Sequence, residues 1–296
     1  MPLEFAKSLS LVGVRVVLLA LNVPGPVAAQ RLAAFGATVV KVESPAGDPL
    51  AQLSPEWYRD LCAAFDVQTI NLKSELGQQQ VNRLLAEADL LITSFRPASL
   101  TRLHLNPEQV AARHPKLCQI AIVGHPLPNA DVAGHDLTYQ ATAGLLSPPH
   151  MPVTLLADLS GAERTVSAAT MLLFSRARGA TDLFTEVSLE SSLEGFTAPL
   201  RYHTTTPNGP LAGANPLYQL YQARDGWIAL AALELHFIQR LRDALADEIA
   251  KSEPQFPNFE MLQQIFLRKS AREWQAWAEQ RDIPIVAVRE YYSESR

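Results

Sequence analysis

The sequence has few cysteines and no excess of positive charge. Its 296 residues include only two cysteines, Cys62 and Cys118, which lie too far apart for a metal knuckle and make a poor disulfide framework. We therefore expect a reduced, cytoplasmic setting. The 25 Lys and Arg residues do not balance 30 Asp and Glu residues, and the net charge is −5. Nucleic-acid-binding proteins usually carry a basic stripe, so we expect no nucleic-acid partner.

Long apolar runs and the common cofactor motifs are also missing. No apolar run reaches transmembrane length, and the first residues lack a signal-peptide pattern, so we expect no membrane association and no export. No glycine fingerprint follows the first strand, and neither a phosphate loop nor a Gly-x-Ser-x-Gly elbow occurs. The seven histidines never pair at metal-ligand spacing. We expect no metal and no tightly bound cofactor.

What is present is an alternation of apolar strands and amphipathic helices. Strands are predicted at residues 14–21, 38–42, 89–93 and 117–123, with helices near residues 26–35, 78–88 and 107–114. Gly36 predicts a left-handed cap at the end of the first helix. Strand–helix alternation at this spacing predicts an α/β fold with a doubly wound, parallel, Rossmann-like sheet. Ligands of such sheets bind beyond the carboxyl ends of the strands.

The pattern changes in the second part of the chain. Helices are predicted at residues 161–178 and 189–200, and a breaker-rich segment follows at Thr204–Pro210. Beyond it the sequence predicts a β-hairpin at residues 218–231, helices at 235–245 and 270–280, and a last strand at 285–288. We therefore predict a large domain at 1–203, a linker at 204–216 and a small α+β domain at 217–296. Trp274 and Trp277 are expected in the core of the small domain.

Two short segments offer catalytic side chains where strands pass into helices. Residues 133–141 contain His135 and Asp136, and residues 156–162 contain Asp158. A His and an Asp on opposite sides of a cleft can move a proton on and off carbon from two faces, whereas the same Asp alone can attack an acyl carbonyl. The structural alternatives are a helix-start role for His135, an N-cap role for Asp158 before a helix from Ser160, and a cap role for Asp136 before a helix through Ala141.

Five segments, in order, resemble the family III CoA-transferases, a family that also holds the α-methylacyl-CoA racemases. Leu32–Glu43 resembles the family's "LA-x-x-GA-x-V-[IV]-K-[VI]-E" opening, and Ile70–Ser74 resembles its "LDLKS" strand. Asp89–Pro97 resembles "D-[VL]-L-[IV]-x-[NG]-[FY]-RPG", Gly134–Asp136 resembles "G-[HYF]-D", and Ala157–Asp158 resembles the segment of the catalytic aspartate.

The resemblance implies an acyl-CoA substrate, with coenzyme A as part of that substrate, and an interlocked homodimer. It assigns catalysis to Asp158 and makes the Asp136 N–H an oxyanion donor. It implies a catalytic base at His135 with Glu234 as its support, which favours the racemase branch, although Glu234 is equally compatible with a simple helix-start acid. Because the linker permits exchange between chains, Glu234 of one chain is expected near His135 of the other. Lys41, Lys73 and Arg96 are the expected contacts of the CoA phosphates.

Several departures from the family pattern keep three functions open. The aspartate is followed by Leu159–Ala162 instead of a glycine triplet, residues 65–70 lack the family's cations, and the chain ends at Arg296, before a segment that relatives return to the large domain. The first function is racemisation at the α-carbon of a 2-methylacyl-CoA by two-base proton transfer. The second is CoA transfer between carboxylic acids through an aspartyl-CoA thioester. The third is a catalytically silent relative that serves as a binding or assembly partner.

Overall fold

The structure is a computed structural model that describes residues 10–246 and 258–289. The described residues divide into two compact units between Thr197 and Ala198. This division precedes the end predicted for the large domain, and the predicted linker at 204–216 lies in the second unit. No helix of the described residues is long and apolar enough to cross a membrane. Both cysteines are free and buried.

The first unit is built on a six-stranded parallel sheet, which confirms the predicted fold class. In chain order the strands are β1 (Arg15–Leu19), β2 (Thr38–Glu43), β3 (Phe65–Thr69), β4 (Leu90–Thr93), β5 (Cys118–Val123) and β6 (Phe184–Ser188). Their order across the sheet is β3-β2-β1-β4-β5-β6. The chain therefore reverses its direction of winding between β1 and β4, and the carboxyl ends of these two strands border the crevice typical of ligand sites.

Helices cover both faces of this sheet. They are α1 (Pro24–Ala34), α2 (Pro49–Leu53), α3 (Pro55–Cys62), α4 (Glu75–Glu87), α5 (Pro97–Arg102), α6 (Pro107–Arg113), α7 (Asp136–Thr142) and α8 (Leu156–Ala177). Alternate residues of β1 enter different clusters: Val16 and Leu18 pack with α1 and α8, while Val17 and Leu19 pack with α4 and α6. The inner strands are buried on both faces, as their continuous apolar runs require. Gly36 ends α1 in the left-handed region, with φ at 102°, as predicted.

Two segments of the first unit differ from the sequence prediction. The third strand is Phe65–Thr69, whereas the segment at 70–74 that resembles the family's strand is a turn, and Ser74 caps α4 by accepting a hydrogen bond from the Gly77 N–H at 3.1 Å. The segment predicted as a helix at 189–200 follows an unpredicted strand, β6. It forms a short 3₁₀ helix at Ser191–Leu193 and then α9 (Glu194–Arg201).

The second unit has a three-stranded antiparallel sheet. Three helices follow the first of these strands in the described residues, which leave out 247–257. The strands are β7 (Tyr218–Gln222), β8 (Trp227–Ala231) and β9 (Ile285–Ala287), in the order β7-β8-β9. The helices are α10 (Leu235–Ala244), α11 (Phe259–Phe266) and α12 (Ala271–Glu279). Ser270 and Glu273 form the predicted capping box of α12. Trp274 is buried in this unit's core, and its Nε1–H donates to the Phe266 carbonyl at 2.7 Å.

Candidate functional site

A cavity of about 460 Å³ opens at the switch point of the parallel sheet. The loops that follow β1, β4 and β5 line it, together with the first residues of α7 and α8. His135, Asp136 and Asp158 all lie in this lining, and Arg96 lies there as well. The structure therefore brings together four of the seven side chains that the sequence singled out. The position agrees with the general rule for ligand sites in open parallel sheets.

His135 lies at the N-cap of α7 in extended backbone conformation; the residue is exposed and lines the cavity. Its N–H donates to Thr138 Oγ1 at 3.0 Å, which fixes the backbone at the start of the helix. The helix-start role and the catalytic role predicted for His135 are compatible, because the first uses the backbone and leaves the imidazole in the cavity.

Asp136 is buried, and hydrogen bonds to its carboxylate connect α7 with the start of α8. Its Oδ1 accepts hydrogen bonds from the N–H groups of Ala157 at 2.7 Å and Asp158 at 3.1 Å, and its Oδ2 accepts one from Gln140 Nε2 at 2.6 Å. The carboxylate thus caps α8 rather than its own helix, which corrects the predicted cap role. With both oxygens occupied in this way, the carboxylate positions Asp158. The predicted oxyanion role of its N–H stays a prediction.

Asp158 lies in the first turn of α8 rather than before it. The helix begins at Leu156 with Leu155 as its N-cap, so the predicted N-cap role of Asp158 is corrected. Burial raises the pKa of the Asp158 carboxyl from 3.8 to about 7, with a further contribution from the nearby Asp136 charge. A carboxyl with this pKa exchanges a proton readily near neutral pH, as a general acid–base group must.

The three predicted CoA contacts lie in different surroundings. Arg96 is exposed at the N-cap of α5 and lines the site cavity. Lys73 is exposed and lines a second cavity of about 830 Å³, which also contains Arg102 and His104. Phe95 lines both cavities. Arg102 was missed in the sequence, although it follows the same strand end as Arg96 and is also a cation.

Lys41 does not fit the predicted contact with CoA. Its side chain has no exposed surface, and its ammonium forms ion pairs with Glu43 and, at 2.8 Å, with Asp48 Oδ2. A buried ammonium held by two carboxylates offers no proton to a phosphate in solvent. The prediction for Lys41 is therefore corrected, and we assign it a structural role.

Glu234 belongs to the second unit. It is the exposed N-cap residue of α10, and its side chain makes no capping hydrogen bond within the described part of the chain. This position agrees with its alternative as a helix-start acid. Its predicted support of His135 stays a prediction. Within residues 10–246 and 258–289, no group of three or more His, Cys, Asp or Glu side chains is arranged to hold a metal ion.

Comparisons with known proteins identify the family of this chain. Residues 11–294 match CoA-transferase family III. The chain is 27% identical to cinnamoyl-CoA:phenyllactate CoA-transferase of Clostridium sporogenes, over 93% of this chain and 77% of that protein. It is 30% identical to the α-methylacyl-CoA racemase of Mus musculus, over 88% of this chain and 73% of that protein.

Solved structures share the fold of this chain. A hypothetical protein of Mycobacterium tuberculosis, Rv3272, superposes with a TM-score of 0.81 at 23% identity, over 95% of this chain and 84% of that chain. A CAIB/BAIF family protein of Brucella suis superposes with a TM-score of 0.76 at 26% identity, over 95% of this chain and 84% of that chain. With nearly its whole length matched, this chain belongs to CoA-transferase family III.

Proposed function

We propose that the protein racemises or epimerises the α-carbon of a 2-methylacyl-CoA thioester. The observation that carries this proposal is that one cavity contains both an imidazole, on His135, and a carboxyl whose pKa is about 7, on Asp158. Inversion at carbon requires a group that removes a proton on one face and a second group that returns one on the other. Racemases and CoA-transferases resemble this chain to a similar degree, so the site chemistry must decide between them.

In this mechanism the α-proton of the thioester passes to His135 or Asp158, depending on the configuration of the substrate. The electrons of the C–H bond form an enolate, and the other residue then donates a proton to the opposite face. Asp136 holds the Asp158 backbone through the 3.1 Å hydrogen bond and helps to keep its carboxyl protonated at neutral pH. The cations available to the CoA phosphates are Arg96, which lines the site cavity, and Lys73 with Arg102, which line the second cavity.

The test is the exchange of the α-hydrogen in heavy water, measured separately on the two enantiomers of a 2-methylacyl-CoA. The wild type should exchange and invert both. His135→Ala and Asp158→Asn should each abolish inversion, since one face then lacks its acid–base group. Each variant should still exchange one enantiomer without inversion, and the two variants should differ in which enantiomer that is. His150→Ala and Asp182→Asn remove exposed side chains outside the cavity lining and serve as controls.

CoA transfer is the second candidate, because Asp158 in the same cavity is also suited to attack an acyl thioester. The carboxylate would form a mixed anhydride and then carry CoA as an aspartyl thioester. In that case a carboxylic acid acceptor would be required. His135→Ala would retain substantial activity, while Asp158→Asn would have none. If no CoA thioester binds at millimolar concentration, both enzyme proposals fail, and the chain serves as a binding or assembly partner.

A further inference from the structure

A buried tyrosine in the site cavity has no part in the proton transfer described above. Tyr139 is only 2% exposed, and it lines the cavity that also contains His135 and Asp158. Among the residues that the structure describes, no other group forms a hydrogen bond with its hydroxyl. The hydroxyl is therefore available to donate a hydrogen bond to a molecule that enters the cavity.

The packing around Tyr139 fixes the direction of its ring. A Cβ atom at Gly124 would lie 2.1 Å from Tyr139 Oη, and one at Gly134 would lie 2.5 Å from Cε1. The His125 ring packs edge-on against it, with ring centroids 5.1 Å apart, and His125 Nδ1 is held by Glu190 Oε2 at 2.8 Å. The phenol therefore lies between backbone segments that only glycine permits, and its hydroxyl is placed in advance of any ligand.

The charges around Tyr139 keep its hydroxyl protonated. Burial raises the pKa of Tyr139, the nearby charges of Asp158 and Glu190 raise it further, and Arg96 lowers it. At neutral pH the group is therefore a hydrogen-bond donor. A thioester whose α-carbon lies between His135 and Asp158 brings one strong acceptor into the same cavity, its carbonyl oxygen, on the carbon next to the α-carbon.

We propose that the Tyr139 hydroxyl contacts the substrate by donating a hydrogen bond to the carbonyl oxygen of the bound acyl thioester. When the α-proton leaves, negative charge develops on this oxygen, and a donor already in place stabilises it. Tyr139 keeps its own proton throughout, so the proton balance remains that of His135 and Asp158. This inference rests on the proposed function, because it requires a thioester in the cavity.

The test compares two ligands and two tyrosine variants by calorimetric titration. The ligands are a 2-methylacyl-CoA and the S-alkyl-CoA of the same chain length, which lacks the carbonyl oxygen.

Tyr139→Phe removes the hydroxyl and keeps the ring. It should weaken acyl-CoA binding about tenfold and leave S-alkyl-CoA binding unchanged. It should lower the α-exchange rate about 100-fold, because the bond strengthens as charge develops. Tyr221→Phe, at a buried tyrosine of the second unit bonded to the Pro216 carbonyl, is the control and should change none of these.

A spectroscopic readout separates a contact from a packing effect. The infrared carbonyl stretch of the bound thioester should lie at lower frequency in the wild type than in Tyr139→Phe. Equal affinities for the two ligands in the wild type, an equal loss for both in the variant, or an unchanged stretch would each overturn the assignment of Tyr139. A wild type that binds both ligands and exchanges no α-hydrogen overturns the proposed racemisation, while the difference between the two ligands still tests the contact. A wild type that binds neither removes both proposals.

Discussion

Asp158 is subject to opposing influences at the start of α8. A carboxylate in the first turn of a helix is stabilised by the helix dipole and by free N–H groups. Burial and the adjacent Asp136 charge act in the other direction, and the pKa of about 7 shows that they prevail. The two carboxyls lie at the same helix end because Asp136 accepts hydrogen bonds from the Ala157 and Asp158 N–H groups in the first turn of α8.

This raised pKa predicts how stability depends on pH. In the unfolded chain Asp158 ionises near pH 3.8, whereas in the folded protein it stays protonated until about pH 7. Between these values the unfolded state binds fewer protons, so the contribution of Asp158 to stability decreases as pH rises through this window and is constant above it. The stability of Asp158→Asn relative to the wild type should therefore increase from pH 4 to pH 7, and at pH 8 the total increase should be roughly 4 kcal/mol.

Urea unfolding of the two proteins at pH 5 and pH 8 measures this difference. A constant difference between Asp158→Asn and the wild type across the range would show that Asp158 ionises normally. Asp182→Asn is the matched control, because the Asp182 side chain is exposed.

The charge of Asp136 should control the pH dependence of Asp158. Asp136→Asn keeps an oxygen for the Ala157 and Asp158 N–H groups and removes the negative charge, so the pKa of Asp158 should fall toward its usual range. In a His135→Ala background, where Asp158 is the base, the exchange rate should rise with pH through about 7. Adding Asp136→Asn should move this rise to lower pH. An unchanged pH profile of the exchange rate would mean that burial alone raises the pKa of Asp158.

At the scale of elements, a buried ionic network fixes one wall of the site cavity. Asp48, paired with Lys41, also accepts hydrogen bonds from the N–H groups of Asn22 at 3.0 Å and Leu50 at 2.9 Å. Asn22 has a positive φ of 62° in the loop after β1, and both Asn22 and Leu50 line the cavity. The network therefore connects β2, the start of α2 and the loop that follows β1.

Lys41→Met should be strongly destabilising, since it leaves Glu43 and Asp48 buried without their cation. We expect a loss of about 3–5 kcal/mol in the free energy of unfolding, measured by urea titration followed by circular dichroism. Lys116→Met, at an exposed lysine, is the control and should change stability by less than about 0.5 kcal/mol. A loss below about 1 kcal/mol for Lys41→Met would contradict the structural role.

Among the elements of the parallel sheet, the sequence predicts the inner strands well and the edge strands poorly. The four strands recognised in the parallel sheet, β1, β2, β4 and β5, are its inner strands, whose apolar runs are typical of burial on both faces. The two that were misplaced or missed, β3 and β6, are its edges. Edge strands carry polar residues such as Asp66, Gln68 and Glu186, so their hydrophobic pattern is weak.

The candidate site could be predicted only in part, for a similar reason. His135, Asp136 and Asp158 follow from their neighbours in sequence. Lys41 was misjudged because its burial depends on Asp48, which approaches through a loop, and sequence does not distinguish a buried lysine from an exposed one. Tyr139 does not stand out in the sequence, because an aromatic residue in a helix is most simply a core residue.

At the scale of the whole molecule, the remaining prediction concerns assembly. The resemblance implies an interlocked homodimer, so light scattering at micromolar concentration should give about twice the 32.5 kDa of one chain. If Glu234 of one chain supports His135 of the other, every site needs both chains. A heterodimer of one His135→Ala chain and one Glu234→Gln chain then has one site with both changes and one with neither.

Heterodimers purified through two different affinity tags should thus recover about half of the wild-type exchange rate, although each parent homodimer is impaired. If Glu234 acts within its own chain, every site of the heterodimer carries one substitution and no activity returns. Full activity of the Glu234→Gln homodimer would contradict the predicted support of His135, and a monomer in solution would contradict the predicted assembly.

A second heterodimer, made of one His135→Ala chain and one Asp158→Asn chain, is the control. If both side chains belong to one cavity of one chain, each site lacks one of them, and inversion should stay absent.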